Sequence, residues 1–203
     1  MGADSLMYGE AFRKLDSTKY LDWPDYQNEQ SISEVSERII NENNIQSNDV
    51  VGGSSLGGIV AAEISKQINI YKLILIGSTL TPESINPILK KLSTLSEITP
   101  VNLIQVLVGK ANAIVENRLF EMFNHSETLF IKAMCKAVFA WEGNQKPNCK
   151  VEHIHGEKDN VIFPPSTGAT IIDGGGHLIA MTPEASVVEF IKTNIAHETS
   201  DMN

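Results

Sequence analysis

The sequence predicts an α/β fold: one domain over residues 1–203, with a mostly parallel sheet and helices on both of its faces. Three observations point there. Short apolar or β-branched runs alternate with stretches of helical periodicity. Lys72 to Ile76 is an apolar run of the kind buried on both sides in a parallel sheet. Val50-Val51 runs into small residues and then straight into a helix-patterned stretch, the signature of a tight strand-to-helix turn.

Taken in order, Asp4 to Leu15 is expected as a helix, with Asp4 as N-cap and Leu6, Met7 and Phe12 apolar. Lys19 to Trp23 reads as a short strand that stops before Pro24. Ser33 is expected to start a helix with Val35, Ile39 and Ile40 at helical spacing; Ser33 and Ser36, followed by Glu37, supply cap chemistry. Asp49 to Gly53 reads as a strand, and Leu56 to Ile68 as the helix behind it, with Ile59, Val60 and Ile64 on one face. From Pro82 to Trp141 the pattern is helical throughout, carried by Ile85, Leu89 and Leu92, then Val101 to Phe123, then Glu127 to Trp141. Placed between two sheet strands, this insert (about 81–147) is expected as a helical cap over the strand ends, with ordinary core packing as the alternative for its apolar residues. Val151 to Gly156 and Ala169 to Asp173 read as further strands. Glu184 to Ile195 reads as the last helix, opened by Thr182-Pro183, and His197 to Asn203 as a frayed tail.

Gly53-Ser54-Ser55-Leu56-Gly57 reads G-x-S-x-G. That pattern sets a serine on a sharp strand-to-helix turn with its hydroxyl exposed. Glycines two positions either side are expected because a Cβ there would collide with the neighbouring strand or helix. A phosphate loop is the competing reading, but no Lys follows the glycines and the G-x-G-x-x-G spacing is absent. Further on, Asp159 lies just past the strand that ends His155-Gly156, and His177 follows Gly174-Gly175-Gly176 after the next strand. Parallel sheets collect functional groups at the carboxyl ends of their strands, and Ser, Asp, His is the chain order of one known arrangement.

On Gly53-Ser54-Ser55-Leu56-Gly57, His155-Gly156-Glu157-Lys158-Asp159 and Gly175-Gly176-His177, the chain resembles a small bacterial esterase/lipase-like member of the α/β-hydrolase superfamily. The resemblance runs from Gly2 to about Ile195, with the middle matching only as a variable helical insert. It implies Ser55 as nucleophile, His177 as base and Asp159 as the acid that orients it. Asp173 is the rival for the acid role, or a cap on the glycine loop. The resemblance also implies an oxyanion hole, with the Leu56 N–H as first donor. The second donor would align at about Met1, and the strand that should precede it is unmatched, so the chain looks N-terminally truncated against the family. Neighbouring strands closing the gap, a longer natural chain and a truncated protein of little activity all stay open.

The implied activity is that of a serine hydrolase, carboxylesterase- or thioesterase-like, acting on a small ester or thioester through an acyl-serine, without a cofactor. A catalytically impaired protein of the same fold that binds a small ligand or a protein partner is the alternative. A formal charge of -9 argues against a basic nucleic-acid-binding face. No run is long enough to span a bilayer, and Met1 to Leu15 lacks the apolar stretch of a signal peptide, so a cytoplasmic protein is expected. The oligomeric state stays open, a homo-oligomer included. Cys135 and Cys149 are expected as reduced thiols. His153 and His155 share a strand face, but no third ligand accompanies them, so no metal site is expected; His155 is expected to support the Asp159 loop.

Overall fold

A computed structural model describes residues 5–89 and 128–196. Strands β1 (Val50–Ser54), β2 (Lys72–Ile76), β3 (Lys150–Gly156) and β4 (Thr170–Ile172) form a sheet in the order β1-β2-β3-β4, parallel throughout. Helices α1 (Ile32–Asn43), α2 (Leu56–Gln67), α3 (Thr128–Ala140) and α4 (Glu184–Ala196) flank it. The register pairs Ser54 with Ile76 and Ile76 with Ile154, so the carboxyl ends of the first three strands lie level and the loops after them share one rim.

β2 is buried along its whole length, and its side chains alternate between two cores. Leu73 and Leu75 join Val35, Ile59, Val60 and Met134, from α1, α2 and α3. Ile74 and Ile76 join Phe12, Ile179, Val187 and Ile191 on the opposite face. Lys72, at the start of this apolar strand, is buried too; its ammonium donates to the Asn194 carbonyl near the end of α4. α1 starts earlier than Ser33. Ser31 is extended, and its Oγ accepts from the Glu34 N–H at 3.2 Å, which makes Ser31 the cap. Ser36 is instead buried inside the helix and donates to the Val60 carbonyl, joining α1 to α2.

Three local expectations fail for tertiary reasons. Where a helix over Asp4 to Leu15 is expected, the described residues 5–15 hold two short 3₁₀ turns, Ser5–Met7 and Phe12–Lys14. The Ala11 and Phe12 N–H groups donate to the Glu184 carboxylate, and a Cβ on Gly9 would lie 2.5 Å from that carboxylate, so a distant side chain organises the segment. Lys19 to Trp23 is not a strand, because no ladder partner lies beside it among the described residues; Tyr20 is anchored by its hydroxyl, which donates to the Phe12 carbonyl at 2.6 Å. Ile85 is not helical. It forms an antiparallel bridge with Ile162, flanked by Asn86 N–H to Val161 O and Phe163 N–H to Ser84 O. Of the expected cap, 90–127 lies outside the described residues. Helix α3 packs into the core through Met134, Ala137 and Val138, and the Trp141 indole N–H behind it donates to Glu63 on α2.

β1 is the edge strand among the described residues. On that outer side the Ser54 N–H donates to the Tyr8 hydroxyl at 3.3 Å.

The turn between β1 and α2 is crowded, though not at both motif glycines. A Cβ on Gly53 would come 2.4 Å from the Gly57 carbonyl carbon, and one on Gly58 would meet Ser78 Oγ at 2.4 Å. A Cβ on Gly57 meets nothing within 4 Å among the described residues. The close approach of helix to strand therefore falls at Gly53 and Gly58, which corrects the expectation for Gly57. We expect Gly53→Ala and Gly58→Ala each to cost about 1–3 kcal/mol, a fall of several degrees in Tm, and Gly57→Ala to leave Tm nearly unchanged. Thermal melts of the three variants check this.

Candidate active site

Ser55 sits between β1 and α2 with φ 54° and ψ −120°, a conformation that costs a non-glycine residue on the order of 1–3 kcal/mol. Hydrogen bonds hold the strained peptide from several directions. The Ser55 N–H donates to the Ile76 carbonyl at 3.1 Å, while its own carbonyl accepts from the Gly58 and Ile59 N–H groups and from Ser78 Oγ at 2.7 Å. The side chain is thereby turned off the strand end toward the rim.

His177 and Asp159 come from the loops after β4 and β3, and those loops interlock. The Lys158 N–H donates to the Gly175 carbonyl at 2.7 Å, and the Gly174 N–H to Glu157 Oε2 at 2.8 Å. A Cβ on Gly156 would fall 2.4 Å from the Gly176 carbonyl oxygen, so the contact requires glycine. Gly174 itself takes φ +67° to turn the chain.

The structure brings Ser55, His177 and Asp159 into one hydrogen-bonded line. His177 Nε2 lies 2.8 Å from Ser55 Oγ, and His177 Nδ1 lies 2.8 Å from Asp159 Oδ2. Asp159 and His177 are buried, and Ser55 is half-buried. Asp159 Oδ1 also accepts from the Val161 and Ile162 N–H groups. Burial opposes ionisation of this carboxyl, but hydrogen bonds from His155 and His177 outweigh it and hold the group well below the usual carboxylate range. With a carboxylate on Nδ1, the neutral imidazole carries its proton there and presents a bare Nε2 to the hydroxyl. Such a line can take the hydroxyl proton when the oxygen attacks an electrophile.

Asp173 is exposed and has no part in this line; Glu157, not Asp173, binds the glycine loop. The Leu56 N–H lies in the first turn of α2, where no intrahelical acceptor exists for it. Met1 lies outside the described residues. Sequence reasoning missed Ser78 and Glu157, since nothing local marks a hydroxyl that fastens another loop's carbonyl or a carboxylate that caps a distant glycine. His155 does brace the Asp159 loop: its Nε2 lies 2.9 Å from the Ile162 carbonyl and 3.1 Å from Asp159 Oδ2.

The lowered Asp159 carboxyl ties stability to pH. Its contribution is complete above the ordinary aspartate value near 4 and is lost as the pH falls from there toward the folded value. We expect the stability gap between the protein and Asp159→Asn to shrink between about pH 5 and pH 3. Urea unfolding at a series of pH values measures it.

No family model matches the sequence, and a search of curated proteins finds no match. Solved structures do match. A lipase-esterase related protein from Clostridium acetobutylicum superposes with a TM-score of 0.73 at 14% identity, covering 95% of this chain and 90% of that one. A thermophilic esterase from Thermogutta terrifontis gives 0.72 at 15% identity, over 95% of this chain and 85% of that one. The N-acyl homoserine lactonase AidH gives 0.67 at 13% identity, over 96% and 85%. With a parallel sheet, helices on both faces and these structural neighbours, the chain has the α/β-hydrolase fold.

Proposed function

We propose that this chain is a serine hydrolase of small carboxylic esters or thioesters, with Ser55, His177 and Asp159 as its catalytic triad. The observation that carries the reading is the pair of 2.8 Å contacts that put His177 between the Ser55 hydroxyl and the Asp159 carboxylate. Support also comes from the structural neighbours, two described as esterase or esterase-related and one as a lactonase, whose substrates share an acyl–oxygen bond.

In this reading Ser55 Oγ attacks the acyl carbon while its proton passes to His177 Nε2. Asp159 keeps its charge and stabilises the imidazolium. The carbonyl oxygen becomes an oxyanion, and the Leu56 N–H, at the positive end of α2, faces the developing charge. Collapse expels the alcohol or thiol, which takes the proton from His177, and leaves an acyl-serine. Water then attacks that ester with His177 again as base, releasing the acid and restoring Ser55. The strained Ser55 backbone suits this task, because it holds the hydroxyl clear of the strand and above the helix start.

One observation favours the alternative, a catalytically impaired protein of the same fold that binds a ligand. β1 is the sheet edge among the described residues, and the second oxyanion donor expected at about Met1 lies outside them. Losing one such donor costs roughly 10²–10³ in rate, so weak turnover is compatible with the first reading and complete inertness is not.

Hydrolysis of p-nitrophenyl acetate tests the choice. Ser55→Ala and His177→Ala are each expected to lower kcat by about 10⁴-fold or more, and by similar amounts, because the two groups act as a unit. A fluorophosphonate probe should label the protein stoichiometrically at Ser55. Equal turnover by Ser55→Ala would remove Ser55 from the mechanism, and a folded chain that never labels would favour the binder.

A further inference from the structure

Asp159 does not serve His177 alone. Its Oδ2 lies 2.8 Å from His177 Nδ1 and also 3.1 Å from His155 Nε2, so one carboxylate oxygen takes two imidazoles. His155 is fully buried on β3, and its ring continues the contact backward: His155 Nδ1 lies 3.0 Å from His153 Nε2. Five side chains therefore stand in one unbroken line: His153, His155, Asp159, His177 and Ser55.

The protons on this line can be counted. His155 Nε2 faces only acceptors, the Asp159 carboxylate and the Ile162 carbonyl, so it must carry hydrogen to bond either. The contact between His155 Nδ1 and His153 Nε2, 3.0 Å long, holds one hydrogen between the two rings. Burial, and after it the neighbouring His155, pushes His153 down to about 4, against a backbone contact at Ser78. The groups facing Asp159 are His155 from β3, His177 from the loop after β4, the Val161 and Ile162 N–H groups from its own turn and the Gly77 backbone from the end of β2. None is a Lys, an Arg or a second carboxylate.

We propose that His155 is a positioning residue for the hydrolase reaction: it holds the Asp159 carboxylate in the plane of His177 and withdraws part of its charge. The inference rests on the proposed function above. Asp159 touches no substrate in that reading, so the effect belongs to kcat and to the pH at which the base is lost, and not to KM. Without the His155 N–H, Oδ2 keeps more negative charge and binds the protonated imidazole of His177 more firmly. The free base is then lost at a higher pH.

The test is the pH profile of p-nitrophenyl acetate hydrolysis by the protein and by His155→Leu, His155→Gln and His153→Leu, with melting curves to confirm folding. For His155→Leu we expect kcat to fall roughly tenfold or more, the rate equivalent of a lost charge-assisted hydrogen bond, with KM within about twofold. The acid limb of kcat/KM should move upward by about half a pH unit or more. His155→Gln keeps an N–H donor and should restore the limb toward its original position. If His155→Leu does not fold, His153→Leu takes its place and should show both changes at smaller amplitude. An unmoved limb with kcat unchanged in the folded leucine variant overturns the proposal. A parent protein that neither turns over ester nor labels at Ser55 overturns the hydrolase reading itself, which separates the two failures.

Discussion

A single buried carboxylate organises the rim of this sheet. Asp159 accepts from two backbone N–H groups of its own turn and from His177 on the loop after β4, and the His155 imidazole of β3 stands 3.1 Å from it. An ionised group in the interior is tolerated only when donors surround it, and here Oδ1 has two backbone N–H groups while Oδ2 faces two imidazoles. The same four contacts shape the turn after β3, dock the glycine loop after β4 and set the plane of His177. Neither loop reaches this arrangement without the other, since the glycine backbones at 156, 175 and 176 also lie in contact.

The second constraint is steric. Ser55 occupies a backbone conformation that only glycine adopts freely, and the surrounding structure stabilises it. β2 contributes the Ile76 carbonyl, α2 contributes the Gly58 and Ile59 N–H groups, and Ser78 contributes a hydroxyl to the Ser55 carbonyl. Gly53 and Gly58 let strand and helix approach closely enough for those bonds to form. Strain at the turn and crowding beneath it are thus one feature: the helix begins so close to the strand that the residue between them has nowhere else to go.

Among the described residues, the N-terminal segment joins the sheet by side chains, without a ladder. Glu184, at the first turn of α4, accepts from the Ala11 and Phe12 N–H groups, and the rings of Tyr8, Phe12 and Tyr20 meet edge-on or tilted against the second core. Tyr8 ends this aromatic group with its hydroxyl on the Ser54 N–H, at the outer side of β1. A phenol held by two rings therefore takes a backbone group that an adjoining strand would otherwise take. Burial pushes this phenol up to about 12, so it remains a neutral hydroxyl at the strand end.

Local signals in the sequence determined the α/β class, the apolar strand over Lys72–Ile76, the serine turn at Ser55 and the helix behind it, because periodicity and turn chemistry act within about ten residues. The order of Ser55, Asp159 and His177 was likewise legible, since each follows a run that reads as a strand. Tertiary structure alone decided the rest. It chose Asp159 over Asp173 as the partner of His177, put the crowding at Gly58 and not Gly57, and broke the expected first helix onto Glu184. Ser55 and His177 are 122 positions apart, and a hydrogen bond needs its partners within a few tenths of an ångström. Composition and spacing carry no information at that precision; only the packed sheet, with its strand ends level and its loops interlocked, supplies it.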